Sequence, residues 1–201
     1  MMLIRTALAA MLGLTLLGVQ GCAPVPTEKS EPAPVAAKAA EPQGPYYELT
    51  KDDLSSHPDW TSRNITILGA KLGDVTKNVE KNFGPSDTSL TRNTGQDYLT
   101  VYQNKSLFAF TFKSNGKLRK LQVYGPFASK IADPKLKKLL MSGDLKSMRD
   151  ALGMEERVEQ SAEDPTAPAT EYVYDSRGFR FVQYKVQGQT INSLLFGEVR
   201  K

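Results

Sequence analysis

The chain has 201 residues, of which 40% are hydrophobic, and a formal net charge of +4. This size and composition fit a water-soluble globular fold of one medium domain or two small ones. Lys and Arg alternate with Asp and Glu along most of the chain, so a solvated surface explains the charge better than a nucleic-acid site, and we expect no nucleic-acid partner. The single cysteine excludes an intrachain disulfide and any CxxC metal or redox site.

Residues 1–22 have the three parts of an export signal: one cationic residue, an apolar run, and small residues before a cysteine. The apolar run is shorter than the roughly 20 residues of a membrane-spanning helix, although an uncleaved transmembrane anchor is the alternative. The ending Val19-Gln20-Gly21-Cys22 resembles the lipobox of bacterial lipoprotein precursors. In such precursors cleavage leaves the cysteine first, and its sulfur carries diacylglycerol.

The lipobox resemblance implies a signal peptide at 1–21 and a lipid on Cys22 that holds the protein at a membrane. Several acyl chains together anchor stably, so we expect permanent attachment. Ala23 stands where many inner-membrane lipoproteins have aspartate. The resemblance therefore favours the periplasmic face of the outer membrane in a Gram-negative host, and otherwise the outer side of the cell membrane.

A Pro/Ala-rich stretch follows the cysteine and lacks the bulky residues that a core needs. We predict that 22–45 is a disordered tether, and its prolines favour an extended chain of up to roughly 70 Å. Such a reach suits a partner that stands away from the membrane.

The globular part is predicted to contain two α+β units, 46–126 and 127–201. Apolar residues at spacings of three and four predict a helix of about three turns between Gly73 and Gly84, and another between Gly143 and Gly153. A polar loop and three strands follow each helix. The predicted strands are Asp97 to Tyr102, Ser106 to Phe112, Lys117 to Tyr124, Thr170 to Tyr174, Phe179 to Val186 and Thr190 to Phe196.

Smaller signals add detail. Asn115-Gly116 and Gln187-Gly188 predict tight hairpins with positive φ at the turn. Asp133-Pro134 predicts an extra helix at the start of the second unit. The apolar residues of 65–68 predict an additional strand.

Phe108, Phe110 and Phe112 recur at every second position of a predicted strand, so they share one face. We expect that face to be core, with Phe179 and Phe181 in the equivalent places of the second unit. Each unit is then a short helix, or a helix pair, on a three- to four-stranded antiparallel sheet. Units of this size are small for independent cores, so we expect them to share one; joining their sheets edge to edge is one way to do so.

A family resemblance rests on short motifs of the first unit. These are Ile67-Leu68-Gly69, Gly73, Phe83-Gly84-Pro85, Tyr102, the Phe-x-Phe strand and the Asn-Gly-Lys hairpin. They resemble the SmpA/OmlA (BamE-like) lipoprotein repeat, and the tandem plan is similar to that of tandem-repeat β-lactamase inhibitor proteins. The second unit departs from the pattern, with Gly153-Met154-Glu155 in place of the Gly-Pro motif. The resemblance implies an accessory subunit, a scaffold or an inhibitor without chemistry of its own.

Catalytic patterns are scarce. His57 is the only histidine, and its polar surroundings predict a surface loop residue. A Ser nucleophile lacks a Gly-x-Ser-x-Gly or Ser-x-x-Lys context, and zinc and calcium motifs are missing from the sequence. We therefore predict no catalytic residue, no metal, no cofactor and no small-molecule substrate; an enzyme with an unrecognised site is the alternative.

The tyrosines of the predicted strands are the candidate partner-binding residues. They are Tyr98, Tyr102, Tyr124, Tyr172 and Tyr174. Alternation places Tyr98 and Tyr102 on one face of their strand, and Tyr172 and Tyr174 on one face of theirs. If helices do not cover these faces, the tyrosines form an aromatic surface of the kind typical of protein interfaces. Half-buried core tyrosines with wet hydroxyls are the alternative. The lysines of 135–138 fit the solvated side of a helix better than a contact with anionic lipid.

The sequence thus predicts a lipid-anchored, non-catalytic interaction module that binds another cell-envelope protein. The alternative function is an inhibitor of a periplasmic or cell-wall enzyme.

Overall fold

The main element of the fold is an antiparallel sheet of eight strands. The computed structural model describes residues 44–87, 92–94, 97–102, 105–161 and 167–197, all within the unit Ala40–Lys201. The strands of this sheet are β3 (Arg92–Thr94), β4 (Asp97–Tyr102), β5 (Leu107–Phe112), β6 (Leu118–Tyr124), β7 (Arg157–Ser161), β8 (Ala169–Tyr174), β9 (Phe179–Val186) and β10 (Gln189–Gly197). Helices pack on the sheet, so the predicted α+β class is confirmed.

The strand order is β3-β4-β5-β6-β10-β9-β8-β7. Strands adjacent in sequence pair with each other, except at the centre, where β6 pairs with β10. We call this pairing the seam. It joins two four-stranded meanders edge to edge, which is one of the arrangements expected from the small size of each unit. Whether the two halves descend from one repeat stays a prediction.

The α-helices of the described part of the chain are α1 (Thr76–Phe83), α2 (Pro134–Ser142) and α3 (Leu145–Leu152), and short 3-10 helices occur at Leu54–Ser56, Gly125–Lys130 and Asp175–Arg177. The predicted positions of the α-helices are right, but α1 and α3 have eight residues each, just over two turns rather than three. Helix α1 begins later than predicted because the residues before it are held against β6, where the Gly73 amide donates to the Leu118 carbonyl at 2.7 Å. Both helices end at a glycine with positive φ, Gly84 and Gly153.

Two short strands precede the main sheet. They are β1 (Tyr47–Glu48) and β2 (Ile65–Thr66), which pair in parallel as a separate sheet. The strand predicted for 65–68 therefore forms only at its start. The segment from 44 to 75 lies on the main sheet through Trp60, whose ring stacks on Phe179 with centroids 4.6 Å apart. The guanidinium carbon of Arg177 lies 4.0 Å from the centre of the Trp60 ring.

One face of the main sheet, which we call the core face, packs against the helices and the N-terminal segment. The side chains at its centre are buried and form one cluster with α1, α2, α3 and Trp60. The central strands contribute Leu107, Ala109, Leu121, Val123, Phe179, Phe181, Leu194 and Phe196. A single core therefore extends across the seam, as expected.

The prediction that Phe108, Phe110 and Phe112 face the core is wrong. Leu107 and Ala109 are the core residues of β5, and the three phenylalanines are half-buried on the opposite face. Alternation correctly placed them together, but a period of two identifies residues that share a face without saying which face the helices cover. Phe179 and Phe181 do lie in the core, as predicted.

The two hairpins also differ from each other. Gln187 and Gly188 both have positive φ, as predicted. In the β5–β6 hairpin only Gly116 does, with φ of 64°. The Phe112 amide donates to the Lys117 carbonyl at 2.9 Å, so the loop has four residues and needs one left-handed position rather than two.

Asp133 joins the N-terminal segment to α2. Its side chain caps the helix by accepting from the amides of Lys135 and Leu136, at 2.8 and 2.9 Å. Its other oxygen accepts from the amide and the hydroxyl of Ser55, at 2.5 and 2.6 Å. Burial alone raises the pKa of Asp133, but these hydrogen bonds outweigh it and hold the pKa below its usual value.

We therefore predict that Asp133→Asn lowers the free energy of unfolding at neutral pH by about 1–3 kcal/mol, because bonds to a charged acceptor are replaced by weaker ones. The folded pKa is depressed, so this stabilisation is present above the unfolded pKa near 4 and is lost as pH falls through the folded value. Urea unfolding at neutral and acidic pH measures the difference between the variant and wild type. Asp144→Asn, at the exposed cap of α3, is the control and loses less. A difference that persists in full at the lowest pH contradicts the prediction.

Candidate functional site

The face of the sheet opposite the core carries a set of aromatic and aliphatic side chains. Register fixes its members, since residues opposite each other on paired strands share a face. Phe108 is opposite Val101 on β4 and Gln122 on β6, and Tyr124 is opposite Ser193 on β10. The half-buried apolar residues of this face, which we call the aromatic face, are Leu99, Phe108, Phe110, Phe112, Tyr124, Tyr184, Val186, Ile191 and Leu195.

A row of rings crosses the seam on this face. The rings of Phe108 and Tyr124 lie 4.6 Å apart, and those of Tyr124 and Tyr184 lie 6.2 Å apart at an interplanar angle of 28°. Strand β10 runs between the two tyrosines, and the small, fully buried Ser193 leaves room for their rings to meet above it. Burial, and then the proximity of Tyr184, raises the pKa of Tyr124, so its hydroxyl stays protonated at physiological pH.

Gln122 holds one end of this row of rings in place. Its side-chain amide donates to the Tyr184 hydroxyl and to the Ser193 hydroxyl, each at 2.9 Å. Gln122 is itself buried. These bonds connect β6, β10 and β9, so they hold the ring of Tyr184 in place.

Charged side chains surround the apolar centre. On β6 the guanidinium of Arg119 lies 5.0 Å from the centre of the Phe112 ring and pairs with Asp97 at 3.2 Å. The ammonium of Lys120 lies 5.9 Å from the centre of the Phe110 ring.

At the other edge of this face the charges form a network. Arg180 contacts both Glu159 and Glu171, and Arg157 pairs with Asp175 at 2.8 Å. An apolar centre with a polar rim is the usual anatomy of a protein interface.

The five candidate tyrosines divide between the two faces. Tyr98 and Tyr102 share a face, as do Tyr172 and Tyr174, but register places both pairs on the core face. Only Tyr124 lies on the aromatic face. The surface expected from the two pairs therefore does not form.

The tyrosines of the core face have different surroundings. Tyr102 is buried with its ring edge-on to Phe83, and Tyr174 is buried with its hydroxyl donating to the Gly153 carbonyl at 3.0 Å. Tyr172 is half-buried, and Tyr98 is 44% exposed at the margin of the core face.

Sequence reasoning missed Tyr184, although a signal for it existed. Phe179 and Phe181 are core residues of β9, so an odd spacing puts Tyr184 on the other face.

The remaining predictions concern the lipidated cysteine, the histidine, metal sites and membrane-spanning helices. Cys22 lies outside the described residues. His57 belongs to the N-terminal segment, and its ring stacks on Tyr47 with centroids 4.6 Å apart. In the part of the chain that the structure describes, His, Asp and Glu side chains nowhere gather in threes as a metal site requires. Within the same residues no helix combines the length and apolar character needed to cross a bilayer.

Neither the comparison with known protein families nor the comparison with curated proteins finds a match for this chain. Among solved structures it is similar to a DUF4309 family protein, YjgB, from Bacillus subtilis. The two sequences are 13% identical, the similarity covers 75% of this chain and 96% of that chain, and the TM-score is 0.43. This likeness is too remote to assign a family or a function.

The hydroxyl of Tyr102 is buried without a hydrogen-bond partner among the described residues. We therefore predict that Tyr102→Phe leaves the free energy of unfolding unchanged or raises it by about 1 kcal/mol, because an unpaired buried hydroxyl costs stability. Tyr174→Phe is the matched control, since it loses a bond to Gly153 and is expected to cost about 1 kcal/mol.

The stability of Tyr102→Phe should also depend on pH differently from that of wild type. Burial, and then the charge of Glu80, raises the pKa of Tyr102 to about 12. The folded pKa exceeds the unfolded value of 10, so above pH 10 the unfolded chain ionises first and the protein loses stability as pH rises toward 12, whereas below pH 10 this group adds no pH dependence. Tyr102→Phe should therefore lose less stability than wild type between those values in thermal or urea unfolding. Equal alkaline loss in both proteins contradicts this account.

Proposed function

We propose that this protein is a lipid-anchored, non-catalytic interaction module that binds another cell-envelope protein through its aromatic face. The observation that carries the proposal is the row Phe108, Tyr124 and Tyr184, which crosses the seam at the centre of the sheet. Large aromatic residues at the centre of a patch are the residues that most often dominate binding energy.

The rigidity of the row supports a binding role. Tyr184 is held by Gln122, and Tyr124 is held between two other rings. Side chains that are already ordered lose little conformational entropy when a partner covers them.

The anchor rests on the sequence of residues 1–22. The lipobox ending at Cys22 supports a lipid at that residue, and a tether of 22–45 would let the domain reach partners away from the bilayer. In a Gram-negative host we place the protein on the periplasmic face of the outer membrane. No enzyme activity, cofactor, nucleic acid or small-molecule substrate belongs to this proposal.

An inhibitory role is the second candidate, because the tandem plan of the sequence is similar to that of tandem-repeat β-lactamase inhibitor proteins. The same aromatic face would then cover the active site of a periplasmic or cell-wall enzyme. The identity of the captured partner separates the two roles, since an inhibited enzyme loses activity in the complex.

We predict that Tyr184→Ala and Phe110→Ala each weaken partner binding by about 30-fold or more, the effect of losing a hot-spot residue worth about 2 kcal/mol. The partner is captured from native membranes with the full chain, purified and titrated against each variant. Tyr98→Ala, which removes an exposed tyrosine from the other side of the sheet, is the matched control and should bind as wild type does. Equal affinities for wild type and all three variants would contradict the proposed site.

We also predict that the native protein begins at Cys22 and carries diacylglycerol on its sulfur. Mass spectrometry of protein purified from its own host measures the mass of the N-terminal peptide. An unmodified Cys22 with residues 1–21 still attached would contradict the anchor, but it would leave the aromatic face to be judged by the titration.

A further inference from the structure

The corner between α2 and α3 exposes two large apolar side chains. Met141, near the end of α2, is 67% exposed, and Leu145, the first residue of α3, is 40% exposed. They are four positions apart in the sequence, so their Cα atoms lie within about 14 Å of each other. Exposed apolar residues that cluster in this way call for an explanation that isolated ones do not.

Lysines flank Met141 on the outward side of α2. Leu136, Leu139 and Leu140 form the buried side of this helix. Lys137 and Lys138 precede Met141 by four and three residues, so they share its outward face. Both lysines are exposed.

The charge of the corner is predominantly positive. Lys135 and Lys146 are exposed and add to the lysines beside Met141. The exposed acidic residues of the same stretch are Asp144 and Asp150. Asp144 is already engaged as the cap of α3, accepting from the Ser147 amide at 2.8 Å.

The corner is fixed to the sheet, so these side chains cannot turn inward. The side-chain amide of Asn192 donates to the Leu139 and Gly143 carbonyls at 2.9 and 3.3 Å, and the side-chain amide of Gln183 donates to the Gly143 carbonyl at 3.2 Å. A Cβ at Gly143 would collide with the backbone oxygen of Leu139. The path from α2 to α3 is therefore rigid, and it holds Met141 and Leu145 outward.

The sequence alone favours a solvated role for the lysines of 135–138, but the exposed Met141 and Leu145 beside them change that reading. We propose that this corner docks the domain on an anionic lipid surface. Met141 and Leu145 enter the headgroup region, and Lys135, Lys137, Lys138 and Lys146 contact lipid phosphates around them. Apolar residues surrounded by lysines are the general pattern of proteins that lie on membranes, and each lysine raises the affinity for anionic lipid about fivefold.

Because α2 packs on the core face, the corner and the aromatic face lie on opposite sides of the sheet. Docking on lipid goes beyond the proposed function, and a partner can bind at the same time.

The test uses the full chain reconstituted into phosphatidylcholine vesicles with or without phosphatidylglycerol. An environment-sensitive fluorophore is attached at Met141→Cys, and background labelling is measured on the parent protein. We expect blue-shifted emission and protection from a neutral aqueous quencher in the anionic vesicles only. Both signals should weaken as salt is added, because lysine–lipid attraction is screened. The chain is held at the vesicle whether a lipid or an uncleaved apolar segment anchors it, so the result does not depend on the anchor.

Matched variants complete the test. Met154→Cys, at a site 69% exposed, is the label control and should report water in both vesicle types. Lys137→Glu with Lys138→Glu should lower the docked-to-undocked ratio at least about twenty-fivefold. Lys77→Glu with Lys117→Glu, at exposed sites near the start of α1, makes the same charge change and should have little effect. The proposal is overturned if the labels at 141 and 154 respond alike, or if the signal at 141 is the same in neutral vesicles or survives reversal of Lys137 and Lys138.

Discussion

The antiparallel pairing of β6 with β10 joins two four-stranded meanders, and both faces of the sheet depend on it. On the core face it brings Leu121 opposite Phe196, so one hydrophobic cluster extends through both halves. On the aromatic face it brings Tyr124 opposite Ser193, so that Tyr184 can approach across β10. Separated meanders would each have an exposed edge and a core too small for stability, and neither would carry the complete row of rings.

The seam also explains why polar residues are buried at the centre of the molecule. Gln122 and Ser193 lie next to it on the aromatic face, whereas Asn192 lies beside it on the core face. All three make side-chain hydrogen bonds, so their burial carries no unpaired donor cost. Gln122 orients Tyr184, and Asn192 holds the end of α2. Residues on either side of the same pair of strands thus set the geometry of both surfaces to which we assign binding roles.

The elements of the fold could largely be predicted from the sequence, while their orientation could not. The bounds of Phe179–Val186 follow from alternation and a Gln-Gly turn, and the end of α3 follows from Gly153. The side taken by Phe108 could not be read from alternation, because the pattern is the same whichever face the helices cover. The side taken by Tyr124 could not be predicted from the hairpin turn either. Between that turn and Tyr124, the pairing of β5 with β6 shifts register after Phe110, and such a shift leaves no clear mark in a sequence.

The opposite placement of the two surfaces has an energetic consequence. A domain held only by a flexible tether can turn in every direction, and a partner that is itself fixed in the membrane must stop that rotation at a cost in entropy when it binds. If the domain rests on the bilayer through Met141 and its neighbouring lysines, as we propose, it loses much of this freedom before such a partner binds. Its aromatic face would then point away from the membrane, whereas a tether of 22–45 alone would leave the direction unspecified. Weak docking on lipid would therefore strengthen binding at Tyr124 and Tyr184 without any contact between the two sites.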